Sequence, residues 1–181
     1  MDEKYILTHL KSGMLAIHQQ RAHERILFEQ FQKMLSSQSP LSQQLLFEQT
    51  LSFSAGEAEI IRSRMNDLYA LGFDIEEFGA RDFVVRGVPS GVDVRSLQRA
   101  FDEMLEAWSN QKDKAGTEHI DRLSRTAAAG ACIKKGQPLS YEEMEHLIDE
   151  LFACQMPYVS PGGKPTVITI STEDLDKQFN A

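Results

Sequence analysis

The sequence is poor in cysteine and lacks long apolar runs, and each shortage excludes a class of protein. Its two cysteines, Cys132 and Cys154, are 22 residues apart. That spacing fits neither a disulfide framework nor a zinc knuckle and indicates a reducing cytoplasm. No run approaches the roughly 18 apolar residues of a transmembrane helix. The acidic start, Met1-Asp2-Glu3-Lys4, predicts no signal peptide. We therefore expect a cytoplasmic protein that makes no membrane contact.

Positive charge is also in short supply. The chain has 27 acidic and 19 basic residues and a formal net charge of -8. A protein that binds nucleic acid by itself is normally basic, because its affinity comes largely from neutralising phosphates. The composition therefore disfavours DNA binding by this chain alone, whereas action through a partner or through another domain stays open.

What is present fits an ordinary globular protein of 181 residues, with 41% hydrophobic and 25% charged residues. This length allows one large or two small domains. Residues 4–9 and 13–18 predict a hairpin, and a helix is predicted from about residue 22 to residue 35. A polar stretch closed by Pro40 follows and indicates a domain boundary.

Residues 41–109 predict the order βαββα, with the first strand over residues 48–53 and a capping box at Ser54 and Glu57. The last helix, from about residue 94 to residue 109, is predicted to have Leu97, Phe101, Leu105 and Trp108 on one face. A second polar linker covers residues 110–116. Beyond it we expect a helix that ends in small residues, a capped helix from Ser140, a strand over 166–170 and a short helix over 172–179. Neither chain end has enough strands for a sheet of its own. The sequence thus predicts an α+β fold of mixed sheet and helices, in which residues 1–36 with 116–181 form one subdomain and 37–115 an inserted one.

Four side chains crowd the junction of the second strand and the first helix: His18, His23, Glu24 and Glu29. A transition metal needs three or four such ligands converging on one point. On a helix, however, Glu24 and Glu29 are separated by about 140° around the axis. His23 and Glu24 are adjacent and diverge. The plainer interpretation is a polar helix start with acidic residues near the positive end of the dipole.

Three further patterns each have two interpretations. Residues 160–166, which contain Gly162-Gly163-Lys164, form either a phosphate cradle or a tight loop before a strand. Gln43, followed by Leu46 and Phe47, either docks as a peptide in a partner's apolar pocket or enters the core of the insert. The alternating strands at the two chain ends either bury both faces within the monomer or leave an apolar face for a symmetric dimer.

Several motifs, in order along the chain, resemble the C-terminal domain of the MutL family of DNA mismatch-repair proteins. They are Lys4-Tyr5-Ile6-Leu7-Thr8, Gln19-x-x-Ala22 through Glu29, Leu71-Gly72-Phe73, Val85-Arg86-x-Val88-Pro89, Ile133-Lys134-x-Gly136-Gln137 and Pro161-x-Gly163-x-Pro165-Thr166. The resemblance covers nearly the whole chain. It implies a dimerisation subdomain built from both chain ends, with an inserted external subdomain.

Many members of this family are metal-dependent nicking endonucleases, and the resemblance implies where their ligands would fall. The aspartate, histidine and alanine of their first motif correspond to His18, Gln20 and Arg21, whereas its two glutamates are retained as Glu24 and Glu29. Ala129, Ser160 and Gly162 stand where the later motifs carry cysteine or histidine, and the chain ends in Phe179-Asn180-Ala181 instead of Phe-x-Arg. We therefore expect His18, Glu24 and Glu29 to be the outline of a lost site, with no cofactor in this chain.

The resemblance also places Gln43, Leu46 and Phe47 where the family docks on the polymerase sliding clamp. Our interpretation of the sequence is a homodimerising, partner-docking domain that also meets other mismatch-repair proteins. It would contact DNA only within a longer protein, at the nucleoid of a bacterial cytoplasm. The alternative is a zinc- or manganese-dependent nicking endonuclease that uses His18, His23, Glu24 and Glu29. An unrelated two-domain adaptor is the third interpretation.

Overall fold

The computed structural model describes residues 3–110 and 117–180, without the side chain of residue 117. Helices and strands are mixed along the chain, and the strands form two antiparallel sheets. This confirms the predicted α+β class. The elements are β1 (Tyr5–Leu10), β2 (Gly13–His18), α1 (Gln19–Ser37), β3 (Gln43–Ser52), α2 (Ala55–Ser63), α3 (Met65–Ala70), β4 (Asp74–Glu77), β5 (Asp82–Val88), a 3-10 turn (Val94–Ser96), α4 (Leu97–Ser109), α5 (Thr117–Ala131), α6 (Tyr141–Ala153), β6 (Val167–Ser171) and α7 (Thr172–Phe179).

The chain folds into two compact units. Residues 3–26 with 133–180 form the first, called the terminal unit, and residues 27–110 with 117–132 form the second, called the central unit. The first dividing point falls inside α1. Later residues of this helix, such as Leu27 and Phe31, belong to the core of the central unit. The sequence placed its boundaries at 36/37 and 115/116, and the second of these lies outside the described residues. The split into dimerisation and external subdomains stays a prediction.

The terminal unit is built on a three-stranded antiparallel sheet in the order β1-β2-β6. The predicted hairpin is confirmed, and Ile6 pairs with Ile17, which pairs in turn with Val167. These three side chains are buried against α1 and α6, where Leu147 and Leu151 join the same core. Gly13 begins β2 with φ of +150°, and a Cβ there would stand 2.2 Å from the carbonyl oxygen of Ile170. A side chain at this position would therefore push β6 away from β2.

The central unit holds the second antiparallel sheet, in the order β3-β5-β4. The predicted βαββα order is present, and the capping box between Ser54 and Glu57 is formed. The predicted single helix after it is interrupted at Arg64, where φ is -110° and ψ is 9°. Leu68 of α3 is nevertheless buried, so both pieces cover the sheet. The predicted apolar face of α4, formed by Leu97, Phe101, Leu105 and Trp108, lies in the core of this unit.

The small-residue end of α5 lies close to the backbone of α4. A Cβ on Gly130 would lie 2.8 Å from the carbonyl oxygen of Ala100 on α4. The absence of a side chain at Gly130 thus allows α5 to pack tightly on α4. No helix within the described residues is long and apolar enough to cross a membrane.

Candidate functional site

His18 lies at the junction that the sequence singled out, as the last residue of β2 before α1 begins. Its backbone N–H donates to the carbonyl of Thr166 at 2.8 Å. Its ring nitrogen Nδ1 accepts a hydrogen bond from the backbone N–H of Arg21 at 3.4 Å. The imidazole therefore satisfies one of the donors that the first turn of a helix leaves unpaired. An Nδ1 that accepts a hydrogen bond from Arg21 is not offered to a metal.

The surroundings of His18 favour its neutral form. Burial lowers the pKa of the ring, and the positive charges of Arg21 and Lys4 lower it further. The ring forms a T-shaped pair with Tyr5, with ring centroids 5.4 Å apart. A neutral ring with its proton on Nε2 is the form that accepts at Nδ1, so electrostatics and hydrogen bonding agree.

We expect His18 to titrate below the usual 6.5 and the free energy of unfolding to decrease in acid. Because folding lowers this pKa, the associated stability is fully present above pH 6.5 and is lost as the pH falls through the folded-state value. NMR titration of the ring protons measures the pKa. Arg21→Gln should raise it, because a nearby positive charge is removed. Arg99→Gln, at an exposed position on α4, is the control and should leave it unchanged. A pKa of His18 at or above 6.5 in the unaltered chain would contradict this assignment.

The remaining members of the crowded stretch have different surroundings. His23 is buried, and its Nδ1 accepts from the backbone N–H of Ile133 at 2.9 Å. Glu24 and Glu29 are half-buried on α1, and Glu29 belongs to the central unit. Over residues 3–110 and 117–180, no three His, Cys, Asp or Glu side chains gather in a group that could hold a metal ion. The structure thus gives two of the four residues, His18 and His23, hydrogen-bonding roles in the fold.

The loop before β6 does meet this stretch, but through main-chain carbonyls. Arg21 Nη1 donates to the carbonyl of Pro165 at 2.9 Å, and Arg25 Nε donates to the carbonyl of Val159 at 2.6 Å. The two arginines are four residues apart on α1 and therefore project from the same side of the helix. They fasten the loop to the helix with hydrogen bonds.

The loop itself is closed by its own hydrogen bonds. Ser160 N–H donates to the carbonyl of Lys164 at 2.8 Å, and the Ser160 hydroxyl accepts from the N–H of Lys164 at 3.2 Å. The N–H of Gly163 donates to the carbonyl of Ser160 at 2.9 Å. Two donors that a phosphate cradle would need are thus used inside the loop, which favours the tight-loop interpretation. A buried serine hydroxyl and a glycine also offer poor ligands to zinc or manganese, so these residues do not fit the metal that the resemblance implies.

We expect Arg25→Ala to lower the free energy of unfolding by roughly 1.5–3 kcal/mol, because it removes a charged donor from a part-buried hydrogen bond to the Val159 carbonyl. Arg25 is buried, whereas the Arg21 hydrogen bond is exposed. The matched variant Arg21→Ala should therefore cost less than about 1 kcal/mol. Urea unfolding followed by circular dichroism measures both. Equal effects of the two substitutions would contradict this account of how the loop is held.

The proposed docking residues lie on β3, which begins at Gln43 instead of near residue 48 as predicted. Gln43 pairs with Val88 and Gln44 with Gly87, but the next pair is Gln49 with Val85. Four residues, 45–48, therefore bulge out opposite one residue of β5, Arg86. We call residues 45–48 the docking bulge. Leu45 packs against the central core, whereas Leu46 is 90% and Phe47 76% exposed. Gln43 is exposed as well. The interpretation that these two apolar side chains enter the core of the insert is wrong.

The outer face of the terminal sheet is the second exposed apolar surface. Leu7, Ala16 and Ile168 lie side by side across the three strands, and Met14 pairs with Ile170 in the next row. Ile168 is 53% and Leu7 41% exposed, although the opposite side of the same strands is already buried in the core. We call Tyr5, Leu7, Met14, Ala16, Ile168 and Ile170 the outer sheet face. Of the two sequence interpretations, burial of both sheet faces within the monomer does not hold for Leu7 and Ile168.

The ion pairs of Arg86 were not predicted from the sequence. Arg86 lies on β5 opposite the docking bulge and forms ion pairs with Glu48 and Glu76. Its acidic partners are 38 and 10 residues away in the chain. Charge pairs at such distances leave no periodic signal in the sequence, and only the register of the three strands brings them together.

Comparison with known proteins gives consistent results. The family model of the MutL C-terminal dimerisation domain matches residues 1–139. A DNA mismatch repair protein MutL from Chloroherpeton thalassium is 42% identical over 175 residues, which is 97% of this chain and 27% of that protein. The MutL of Bacteroides fragilis is 39% identical over 176 residues, 97% of this chain and 28% of its own length. That of Chlorobium phaeobacteroides is 37% identical over 179 residues, 99% of this chain and 29% of its own.

The match extends along nearly all of this chain but less than a third of each of these proteins. The family model covers the hairpin of the terminal sheet, the sequence of the whole central unit and the start of the segment that leads to α6. The chain therefore belongs to the family of MutL C-terminal dimerisation domains.

Proposed function

We propose that this chain is the homodimerising and partner-docking domain of a MutL-type DNA mismatch-repair protein. The observation that carries the proposal is the outer sheet face, on which Tyr5, Leu7 and Ile168 are exposed although the other face of the sheet is already buried. A surface of this kind marks an interaction site. A second copy of the chain is the occupant that suits a member of a dimerisation-domain family, and a two-fold axis would place the same residues on both sides.

Hydroxyl-radical footprinting at high and low protein concentration tests where the copies meet. We expect Tyr5 and Leu7 to be protected at micromolar concentration and to react when dilution separates the copies. Tyr141, which is exposed on α6, provides a reference in the same unit. Reaction of Tyr5 and Leu7 that does not change with concentration, in a sample that is dimeric at high concentration and dissociates on dilution, would move the interface elsewhere.

We also propose that Gln43, Leu46 and Phe47 dock on the sliding clamp of DNA polymerase. The bulge presents two neighbouring apolar side chains to solvent, and a glutamine lies three residues before the first of them. Leu46 and Phe47 would fill an apolar pocket, while the amide of Gln43 would form hydrogen bonds at its rim. We propose that the longer protein also contacts other mismatch-repair proteins and DNA, and that it does so at the nucleoid in the bacterial cytoplasm.

We further propose that this chain does not nick DNA. Gln20, Arg21, Ser160 and Gly162 stand at positions where the family resemblance implies other residues, and Ser160 is already hydrogen-bonded within its loop. The test is incubation of supercoiled plasmid with manganese and the longest available form of the protein. We expect no nicking. Nicking that disappears in Glu24→Ala would favour the endonuclease alternative and would make zinc or manganese a genuine cofactor.

A further inference from the structure

The sheet of the central unit loses its regular pairing at one point. On one side of β5, residues 45–48 of β3 all lie opposite Arg86, because Gln44 pairs with Gly87 and Gln49 with Val85. On its other side, Asp74 and Ile75 of β4 pair with Gly87 and Val85, which leaves Arg86 without a paired residue there too. Arg86 thus lies between two register shifts. A bulge of this kind redirects the side chains that it carries.

The side chain of Arg86 connects both irregular segments. Its Nε donates to Glu48 Oε1 at 2.9 Å, and its Nη1 donates to Glu76 Oε2. Glu48 closes the docking bulge, whereas Glu76 belongs to the regular part of β4. Two further contacts fix the bulge: the Gln49 side chain donates to the carbonyl of Phe47 at 3.3 Å, and Leu45 is anchored in the core. Together these contacts leave Leu46 and Phe47 as the outward pair.

We infer that Arg86 is a positioning residue for partner docking, which holds the docking bulge in its presenting conformation before the partner arrives. This inference rests on the proposed docking function. A flexible segment loses conformational freedom when it binds, and that loss lowers affinity. A segment that is already fixed avoids much of the loss. Arg86 provides this constraint because it ties the bulge to β4, a strand that takes no part in the docking motif.

The same contacts are expected to matter little for folding. Arg86, Glu48 and Glu76 are all close to half-exposed or more, and exposed ion pairs contribute little to stability. A purely structural role would change the melting temperature and the affinity together. A positioning role predicts a change in affinity and in the order of residues 45–48, at a nearly constant melting temperature.

Arg86→Met tests this in the full 181-residue chain, because methionine keeps an apolar stem and removes both donors. The matched control is Arg62→Met, since Arg62 is also partly exposed and forms an ion pair with Glu77 of β4. Its guanidinium also donates to the carbonyl of Ala80, and neither partner belongs to the docking bulge. The probe is a bacterial sliding clamp on a surface-plasmon-resonance chip. A synthetic peptide of residues 41–50 gives the affinity of the unconstrained segment.

We expect Arg86→Met to weaken clamp binding roughly three- to tenfold, toward the value of the peptide, and Arg62→Met to leave it unchanged. Backbone NMR relaxation should show lower order for residues 45–48 in Arg86→Met and constant order for residues 50–52. Glu48→Ala breaks the same link from the other side and replaces Arg86→Met should that variant fail to fold. If the variant keeps wild-type affinity and wild-type order, the inference is overturned.

Failure of the docking proposal can be told apart from failure of this inference. If the unaltered chain does not bind the clamp, docking on that partner is wrong, and the order of residues 45–48 alone decides whether Arg86 positions them. If the unaltered chain binds and the isolated peptide binds equally well, no constraint contributes to affinity and the inference is overturned while docking stands.

Discussion

A monomer is the expected state of Ile168→Asp under conditions in which the unaltered chain is a dimer. Ile168 lies on β6 in the outer sheet face, next to Ala16, and is 53% exposed in the single chain. A two-fold axis would bring the new carboxylate into the interface twice, once from each copy. Burying an unpaired charge in an interface costs several kcal/mol of binding free energy. Small shifts of neighbouring side chains do not offset a cost of this size. Sedimentation velocity at micromolar concentration measures the change.

Two further variants make this prediction specific. Leu7→Asp introduces the same charge on β1, in the same row of residues, and should have the same effect. Phe78→Asp changes an exposed aromatic residue of the central unit and should leave the dimer intact. Circular dichroism confirms that each variant is folded. A folded Ile168→Asp that sediments as a dimer would place the interface outside the outer sheet face.

Loss of clamp binding is the expected result of replacing Leu46 and Phe47 together with alanine. Burial of such a side chain in a partner's pocket contributes roughly 1.5–3 kcal/mol, so each substitution should weaken binding by one to two orders of magnitude. Stability should hardly change, because these side chains are 90% and 76% exposed and touch little of the fold. Isothermal titration with a bacterial sliding clamp measures the affinity, and thermal unfolding serves as the check on stability.

Phe78→Ala is the control for this pair, because it also removes a large exposed side chain from the central unit. It should bind the clamp as the unaltered chain does. Wild-type affinity in the Leu46→Ala, Phe47→Ala variant, with an unchanged melting temperature, would remove the docking bulge from the account.

Much of the fold follows from local patterns in the sequence. Period-two alternation and a Lys11-Ser12-Gly13 turn predict the first hairpin, and the spacing of Leu97, Phe101, Leu105 and Trp108 predicts α4. Ser–x–x–Glu spacings predict the capping boxes that open α2 and α6, and both are formed. In each case the residues that carry the signal lie within one or two turns of the element that they specify.

The predicted bounds differ from the observed ones for local reasons in one case and for long-range reasons in the others. The start of α1 at Gln19 was placed three residues late because Gln19, Gln20 and Arg21 carry no apolar period. The length of β3 was underestimated because its first half is a bulge whose shape depends on β5 and Arg86. The dividing point inside α1 depends on which core takes Leu27 and Phe31, and that is a matter of tertiary packing.

The candidate sites were found by different means. Residue chemistry alone left open whether His18, His23, Glu24 and Glu29 hold a metal, and the structure adds that the Nδ1 atoms of His18 and His23 accept backbone hydrogen bonds. The role of Arg25 was not predictable, because its acceptor on Val159 is 134 residues away. Leu46 and Phe47, in contrast, could be singled out by their order after Gln43, and the structure adds that they are exposed.

The molar mass of the unaltered 181-residue chain in solution is the most direct test of the central claim that it dimerises. Size-exclusion chromatography with multi-angle light scattering measures this mass without reference to shape. We predict a single species at micromolar concentration with twice the 20.5 kDa of one chain. A species of 20.5 kDa that persists as the concentration is raised through that range would contradict the account.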